Sequence, residues 1–269
     1  MEYKMCLKDL FMKPESPKPF EYGDNCLLHF SINDYPGTGS DLRGCNNDQE
    51  DDFNYVDGKI GGVSLRGLQD KLVTPSRFES EIRAAFRAMQ RGLLTIGYSG
   101  HGTYDGDGSE PDGFREALAL WGGNFTDKRF IALCKEKPAN LDLVFILDSC
   151  FSEGMSRLGL THDAIIKHPR FLMTSPMPRN FHVIKQAPYE VNDWLVISAC
   201  AENQTAADAL FNNRYNGAFT YYAVRTLEKG ITYRQWMERI WQNLPSRQFE
   251  QMPHIDGPER LIEKIVFEV

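Results

Sequence analysis

Two stretches of this chain end an apolar run in a side chain that can attack or move a proton. LLTIGYSGHG runs into His101, and LDLVFILDSC runs into Cys150. A thiolate attacks acyl carbons readily, and an imidazole titrates near neutrality and can carry the proton that such an attack relocates. The glycines around His101 let a substrate backbone approach, and the Gly102 N–H can donate to a developing oxyanion. Asp148 stands two residues before Cys150, so on a strand end the two share a face. An aspartate buried beside a reactive thiol needs a cationic partner, and a substrate guanidinium can supply it. By the same alternation Ser99, two residues before His101, points into that pocket. Each half alone is weak, because a cysteine after an apolar strand is ordinarily an inert buried thiol and SGHG is ordinarily a turn. Their joint placement at two strand ends carries the reading. His29, His162, His168, His182 and His254 lack such a setting and default to structural or surface roles, and Cys200, in VISACAE, reads as core.

For thiol and imidazole to meet, the two runs must be neighbouring strands, because open α/β sheets bind ligands beyond their strands' carboxyl ends. Strands are predicted at Cys26–Ile32, Val63–Leu68, Leu93–Ser99, Ala117–Trp121, Leu141–Asp148, Trp194–Ala199 and Leu261–Phe267. The Leu141–Asp148 run is continuously apolar, as a strand covered on both faces should be. Helices fall between them: about Asn46–Val56; a helix capped by Thr74, with Pro75 in its first turn; one capped by Thr126; and one near Ala218–Leu227. A last helix opens on the capping-box pair Thr232 and Gln235 and carries Tyr233, Trp236, Met237, Ile240, Trp241 and Leu244 as one apolar stripe. Residues 100–113 and 153–192 read as long loops, and the proline-dotted 1–25 as a surface arm. Alternating strands and helices predict an α/β fold, a mostly parallel doubly wound sheet with helices on both faces, in one domain over 26–269.

The bulk properties exclude several classes. A length of 269 residues buries a sizeable core without a disulfide or zinc staple. A net charge of −7 argues against nucleic acid and anionic membranes as partners. The six cysteines form no C-x-x-C pair and no cysteine–histidine cluster of zinc spacing, which suits reduced thiols in a cytoplasm. The first residues lack the apolar core of a signal peptide, and the strongly apolar run Leu143–Leu147 is far too short to span a membrane.

YSGHGT followed 49 residues later by DSC resembles the histidine and cysteine blocks of caspase-like cysteine peptidases, and most of all metacaspases and orthocaspases. INDYPGTGSDLRGCNND resembles the metacaspase opening block, EPDGFREALALW the acidic loop after the histidine, and ISACAENQTAADA with NGAFTYY the C-terminal block. The resemblance implies a caspase-like three-layer sandwich: a large-subunit-like part over about 26–152, a linker over 153–192 and a small-subunit-like part over 193–269. It implies Cys150 as nucleophile, His101 as its acid/base partner, and Gly102 and Cys150 N–H groups as the oxyanion hole. It further implies Asp48 and Asp148 as acids of an S1 pocket for Arg or Lys at the cleaved bond. Without the resemblance, Asp48 reads as a helix-start acid in the run Asp48–Asp52. Protein or peptide substrates, a monomer and no organic cofactor follow from the same resemblance.

The chain departs from the family where DSCFSEGM replaces the usual D-x-C-H-S-G, which keeps open a catalytically weak or inactive homologue that binds basic peptides as a scaffold. A thiol acyl-transferase or amidase on the same sheet is a third expectation. Many metacaspases require calcium. Asp105, Asp107, Ser109 and Glu116 mimic a calcium loop, but Glu110 stands where the sharp turn needs glycine, so calcium is left open and no metal ligands are assigned. Metacaspases also cut themselves in the linker, where Arg157, Lys167, Arg170, Arg179 and Lys185 are candidate targets, Arg179 and Lys185 reading as the most open.

Overall fold

The most apolar run of the chain becomes the centre of its sheet. The computed structural model describes residues 20–106, 114–150, 167–172, 193–201 and 204–269. In chain order it runs β1 (Asn25–Ser31), α1 (Cys45–Tyr55), β2 (Ser64–Gln69), α2 (Pro75–Ala88) and β3 (Arg91–Ser99). Next come β4 (Gly102–Gly106), β5 (Phe114–Leu120), β6 (Gly123–Thr126), α3 (Asp127–Cys134), β7 (Asn140–Asp148) and β8 (Lys167–Pro169). The chain continues through β9 (Leu195–Ser198), β10 (Ala207–Phe211), β11 (Arg214–Gly217), α4 (Ala218–Thr226), α5 (Tyr233–Trp241), β12 (His254–Asp256) and α6 (Glu259–Ile262). The main sheet has the order β12-β9-β7-β3-β1-β2, and every pairing in it is parallel except that of β12 with β9. Smaller three-stranded sheets, β4-β5-β6 and β8-β10-β11, stand beside it.

Side-chain alternation splits the core into two layers. Leu94, Ile96, Leu141, Leu143 and Phe145 meet Phe78, Ile82, Ala85 and Leu133 of α2 and α3. Leu93, Val144, Leu195 and Ile197 meet Phe219, Ala223, Trp236, Met237 and Ile240 of α4 and α5. This is the expected three-layer arrangement. Local signals set its helix starts: Thr74 accepts from Arg77 N–H with Pro75 behind it, Thr126 accepts from Arg129 N–H, and Thr232 with Gln235 forms the full capping box.

The fold differs from the sequence reading in several places. Residues 102–106 are not loop but β4, paired antiparallel with β5. Within the expected linker, Lys167–Pro169 forms a strand on β10. The hairpin of β10 and β11 was not anticipated; its turn residues Asn212 and Asn213 both have positive φ, which asparagine tolerates in two-residue hairpins. The predicted last strand is instead the short helix α6 behind Pro258, followed by buried Val266 and Phe267, whose backbone reaches Ile231 and Asn25. The last sheet strand is β12. Trp241, expected in the apolar stripe, is 38% exposed. The arm at residues 1–19 lies outside the described residues.

Phe78 sits where the layers interlock, 4.5 Å from the Phe30 ring and 5.0 Å from Phe125, with no exposed surface. Phe78→Ala should cost about 3–5 kcal/mol of stability, read as a lowered urea midpoint with unchanged slope; a loss below about 1 kcal/mol would show that α2 is not anchored through this ring.

Candidate active site

Strands β3 and β7 are adjacent and in register, Ser99 opposite Asp148, so the two chain segments leave the sheet side by side. The approach is close: a Cβ on Gly102 would collide with the Cys150 carbonyl. Gly102 N–H and Cys150 N–H both donate to one oxygen, the carbonyl of Arg170, at 2.9 and 3.2 Å. The two expected oxyanion donors therefore converge on a single point, as stabilising an oxyanion requires.

The imidazole and thiol are both buried beside that point, at 1% and 2% exposure. The His101 ring packs at a tilt against Tyr35, centroids 4.5 Å apart; the Tyr35 hydroxyl accepts the His101 backbone N–H, and His101 Nε2 is 2.6 Å from the Ser40 carbonyl. Burial lowers the imidazole pKa to about 4, against the pull of the Ser40 and Arg170 carbonyls, so the ring is neutral at neutral pH. Cys150 Sγ accepts from Ala206 N–H at 2.8 Å, and burial raises its pKa well above the usual thiol range. Among the described residues no hydrogen bond joins the sulfur to the imidazole. The fold brings the two residues to one cleft in their neutral forms, without engaging them.

Around Arg170 the acids gather. Its guanidinium has no exposed surface and contacts Asp48 at 2.7 Å, Asp208 at 3.0 Å and Asp148 at 3.3 Å. Each carboxylate is pinned by its own donors. Asp48 accepts from Asn216 Nδ2 and Gly217 N–H, Asp148 from the N–H and hydroxyl of Thr220, and Asp208 from the N–H groups of Arg43 and Gly44. Burial raises the Asp48 pKa to about 8; Arg170 pulls it down, and Asp148 pushes it up again. Three buried carboxylates facing one cation favour a retained proton.

The structure thus brings together His101, Gly102, Cys150, Asp48 and Asp148. Ser99 is buried with its hydroxyl 3.3 Å from His29 Nε2, and His29 Nδ1 is 3.1 Å from Asp52, so this hydroxyl is engaged with His29 rather than with the guanidinium. Sequence reasoning missed Asp208, which reaches the pocket on the unanticipated β10; the Asn212–Asn213 pair after it was the available hairpin signal. Cys200 is buried core, as expected. Among the described residues no group of three or more His, Cys, Asp or Glu is arranged to hold a metal. Asp107, Ser109 and Glu110 of the calcium-like loop lie outside the described residues, as do Phe151, Glu153, Arg157, Arg179 and Lys185. Asp105 pairs across β4 and β5 with Arg115, a cation where a calcium cage would need oxygen.

Comparison with known proteins fits this geometry. A family model described as the caspase domain matches residues 26–260. Metacaspase-1 of Kluyveromyces lactis is 25% identical over 94% of this chain and 71% of its own length. Metacaspase-1 of Schizosaccharomyces pombe is 25% identical over 87% of this chain and 67% of its own length. Among solved structures, protein GSU0716 of Geobacter sulfurreducens superposes with a TM-score of 0.70 at 25% identity, covering 91% of this chain and 99% of that one. Caspase-1 of Spodoptera frugiperda superposes at 0.58 with 12% identity, covering 95% and 96%, a likeness of fold.

Gly217 abuts the pocket so closely that a Cβ there would strike the Asp148 carboxylate and the Arg170 guanidinium, whereas Gly58 faces open space. Gly217→Ala should therefore lower stability by about 1–3 kcal/mol in urea titration, with Gly58→Ala within about 0.5 kcal/mol of the parent. Equal effects at the two sites would contradict the packed pocket.

Proposed function

Since the chain belongs to the caspase-domain family, we propose that it is a cysteine endopeptidase that cleaves after arginine or lysine through Cys150 and His101. The observation that carries this reading is a guanidinium held by three buried carboxylates while the carbonyl of the same residue sits on two N–H groups beside the thiol. A substrate in that position has its carbonyl polarised and its side chain neutralised at once.

His101, neutral above about pH 5 on its lowered pKa, takes the thiol proton as sulfur attacks the carbonyl carbon. Gly102 and Cys150 N–H groups hold the oxyanion. The imidazolium then protonates the departing amine, leaving an acyl-enzyme that water hydrolyses with His101 again as base. The raised thiol pKa means that sulfur keeps its proton at rest and ionises only when the imidazole is aligned to receive it. No step calls on a metal or an organic cofactor. Proteins or peptides are the substrates that such a cleft admits. No helix among the described residues is long and apolar enough to cross a membrane.

An Arg-ended fluorogenic peptide should be hydrolysed, an Asp-ended one far more slowly, and Cys150→Ala should lose at least about a thousandfold in rate. Faster cleavage of the Asp-ended peptide would overturn the pocket assignment. Binding of the Arg-ended peptide without turnover would replace this reading by that of a scaffold. Because burial raises the Asp48 pKa to about 8 even with the Arg170 guanidinium beside it, and only the ionised form pairs with a substrate cation, KM for the Arg-ended peptide should fall as pH rises above neutrality. Asp48→Asn should raise KM and flatten that dependence; a KM independent of pH in the parent would count against Asp48 as a partner of the cation.

A further inference from the structure

The loop between β1 and α1 brings two of its groups to one residue, His101. Tyr35 accepts the His101 backbone N–H on its hydroxyl at 2.7 Å and packs its ring against the imidazole. Later in the same loop, Ser40 sets its carbonyl 2.6 Å from Nε2. The path between them is closed on itself. Tyr35 N–H donates to Asp41 Oδ1 at 2.7 Å, and Thr38 donates to the Tyr35 carbonyl through both its N–H and its hydroxyl. Ser40 N–H donates to Thr38 Oγ1 at 3.1 Å, and Leu42 N–H donates to Asn33 O at 2.8 Å. Gly37 and Gly39, with φ of +80° and +68°, supply the left-handed turns that so tight a path needs. At its base the loop is anchored by Asp70, whose Oδ1 accepts the N–H groups of Asn33 and Asp34. Phenol and carbonyl are left little freedom to shift relative to each other.

A tyrosine that merely fills the core accounts for less of this. Tyr35 is 4% exposed and belongs to the layer shared with α2 and α3, where burial of the ring is favourable by itself. Burial asks only that the hydroxyl find some partner. Here the partner is the main chain of the same residue whose imidazole the ring faces. Tyr98 takes the other main-chain group, its hydroxyl donating to the His101 carbonyl at 2.9 Å. A Cβ on Gly100 would strike both phenol hydroxyls, so the two close on this turn from nearby. With Nε2–H spent on the Ser40 carbonyl, Nδ1 is the nitrogen left to take a proton.

We propose that Tyr35 is a positioning residue for His101, keeping the imidazole with Nε2 on Ser40 and Nδ1 ready to exchange the proton of Cys150. The proposal rests on the peptidase reading above and adds to it the group that keeps the base in register. Without the phenol the imidazole loses the surface that fixes its plane, and its backbone N–H loses its acceptor. The proton acceptor is then misplaced in the transition state, while the acids that bind the substrate cation keep their own hydrogen bonds. The loss therefore falls on kcat and leaves KM in place. The charged and titratable groups around the ring are Arg170, which lowers its pKa, Asp208, which raises it, the Tyr98 phenol, and the Cys150 thiol of the same cleft. Burial outweighs them all, so opening the site moves the imidazole pKa upward from about 4.

The test assays the full chain on an Arg-ended reporter peptide and titrates its histidines by NMR, His101 being identified by the resonance lost in His101→Asn. Tyr35→Leu should lower kcat about a hundredfold with KM within about twofold of the parent. The same variant should raise the His101 midpoint from about 4 toward the ordinary imidazole range. Tyr35→Phe, which restores the ring without the hydroxyl, should recover part of both losses and retain a deficit of about tenfold in kcat. Phe78→Ala, a buried aromatic removed from α2 instead, should leave kcat and the midpoint unchanged while it stays folded. An unmoved His101 midpoint in Tyr35→Leu, or a loss of kcat in Phe78→Ala equal to that in Tyr35→Leu, overturns the proposal. Should Tyr35→Leu fail to fold, Tyr35→Phe carries the test, and a kcat equal to the parent's overturns the proposal. No turnover of the reporter by the parent overturns the peptidase reading, and the titration then judges by itself whether Tyr35 holds the ring.

Discussion

The geometry of the cleft depends on one electrostatic problem and its solution. Three aspartates from three distant parts of the sequence, Asp48, Asp148 and Asp208, are all at 2% exposure or less, where an unpaired carboxylate is costly. They are tolerated because one guanidinium reaches all of them and because each also accepts hydrogen bonds from N–H or hydroxyl donors around the pocket. The constraint runs outward from there. Asp48 ties the first turn of α1 to the end of β11, Asp148 ties β7 to the start of α4, and Asp208 ties β10 to the residues before α1. The Arg170 cation thus sits where α1, β7, β10, β11 and α4 are tied together.

The same wiring relates binding to chemistry. Asp148 is two residues from Cys150, and Ala206, whose N–H touches the sulfur, is two residues from Asp208. Under the function proposed above, a cation in the pocket is registered against Cys150 through very short stretches of strand, which leaves little backbone freedom around a carbonyl held there. That economy suits a fold in which loops at the sheet's carboxyl edge do the recognition and the parallel strands beneath supply rigidity.

How much of this was readable in the sequence follows from the range of the interactions. Signals that act within a turn or a strand were plain: the Thr74 and Thr232 caps, the apolar run of β7, and the shared face of Asp148 and Cys150. Asp48 was reached through the resemblance of GCNND rather than from its residues, because nothing local distinguishes a pocket acid from a helix-start acid. Asp208 was missed because β10 and β11 are short, mixed in polarity and buried by neighbours rather than by their own pattern. Arg170 carried the least signal of all, since its partner Asp48 is 122 residues away and its meaning lies in main-chain contacts that composition does not encode.

At the far end of the main sheet, β12 has only three residues and runs between Pro253 and Pro258. Proline cannot donate to a ladder, and so short a free edge offers almost no template for another strand to zip onto. A chain whose centre is a continuous apolar parallel sheet carries an inherent hazard of fibrillar self-association; here this end of the sheet is blunted by length and by ring chemistry.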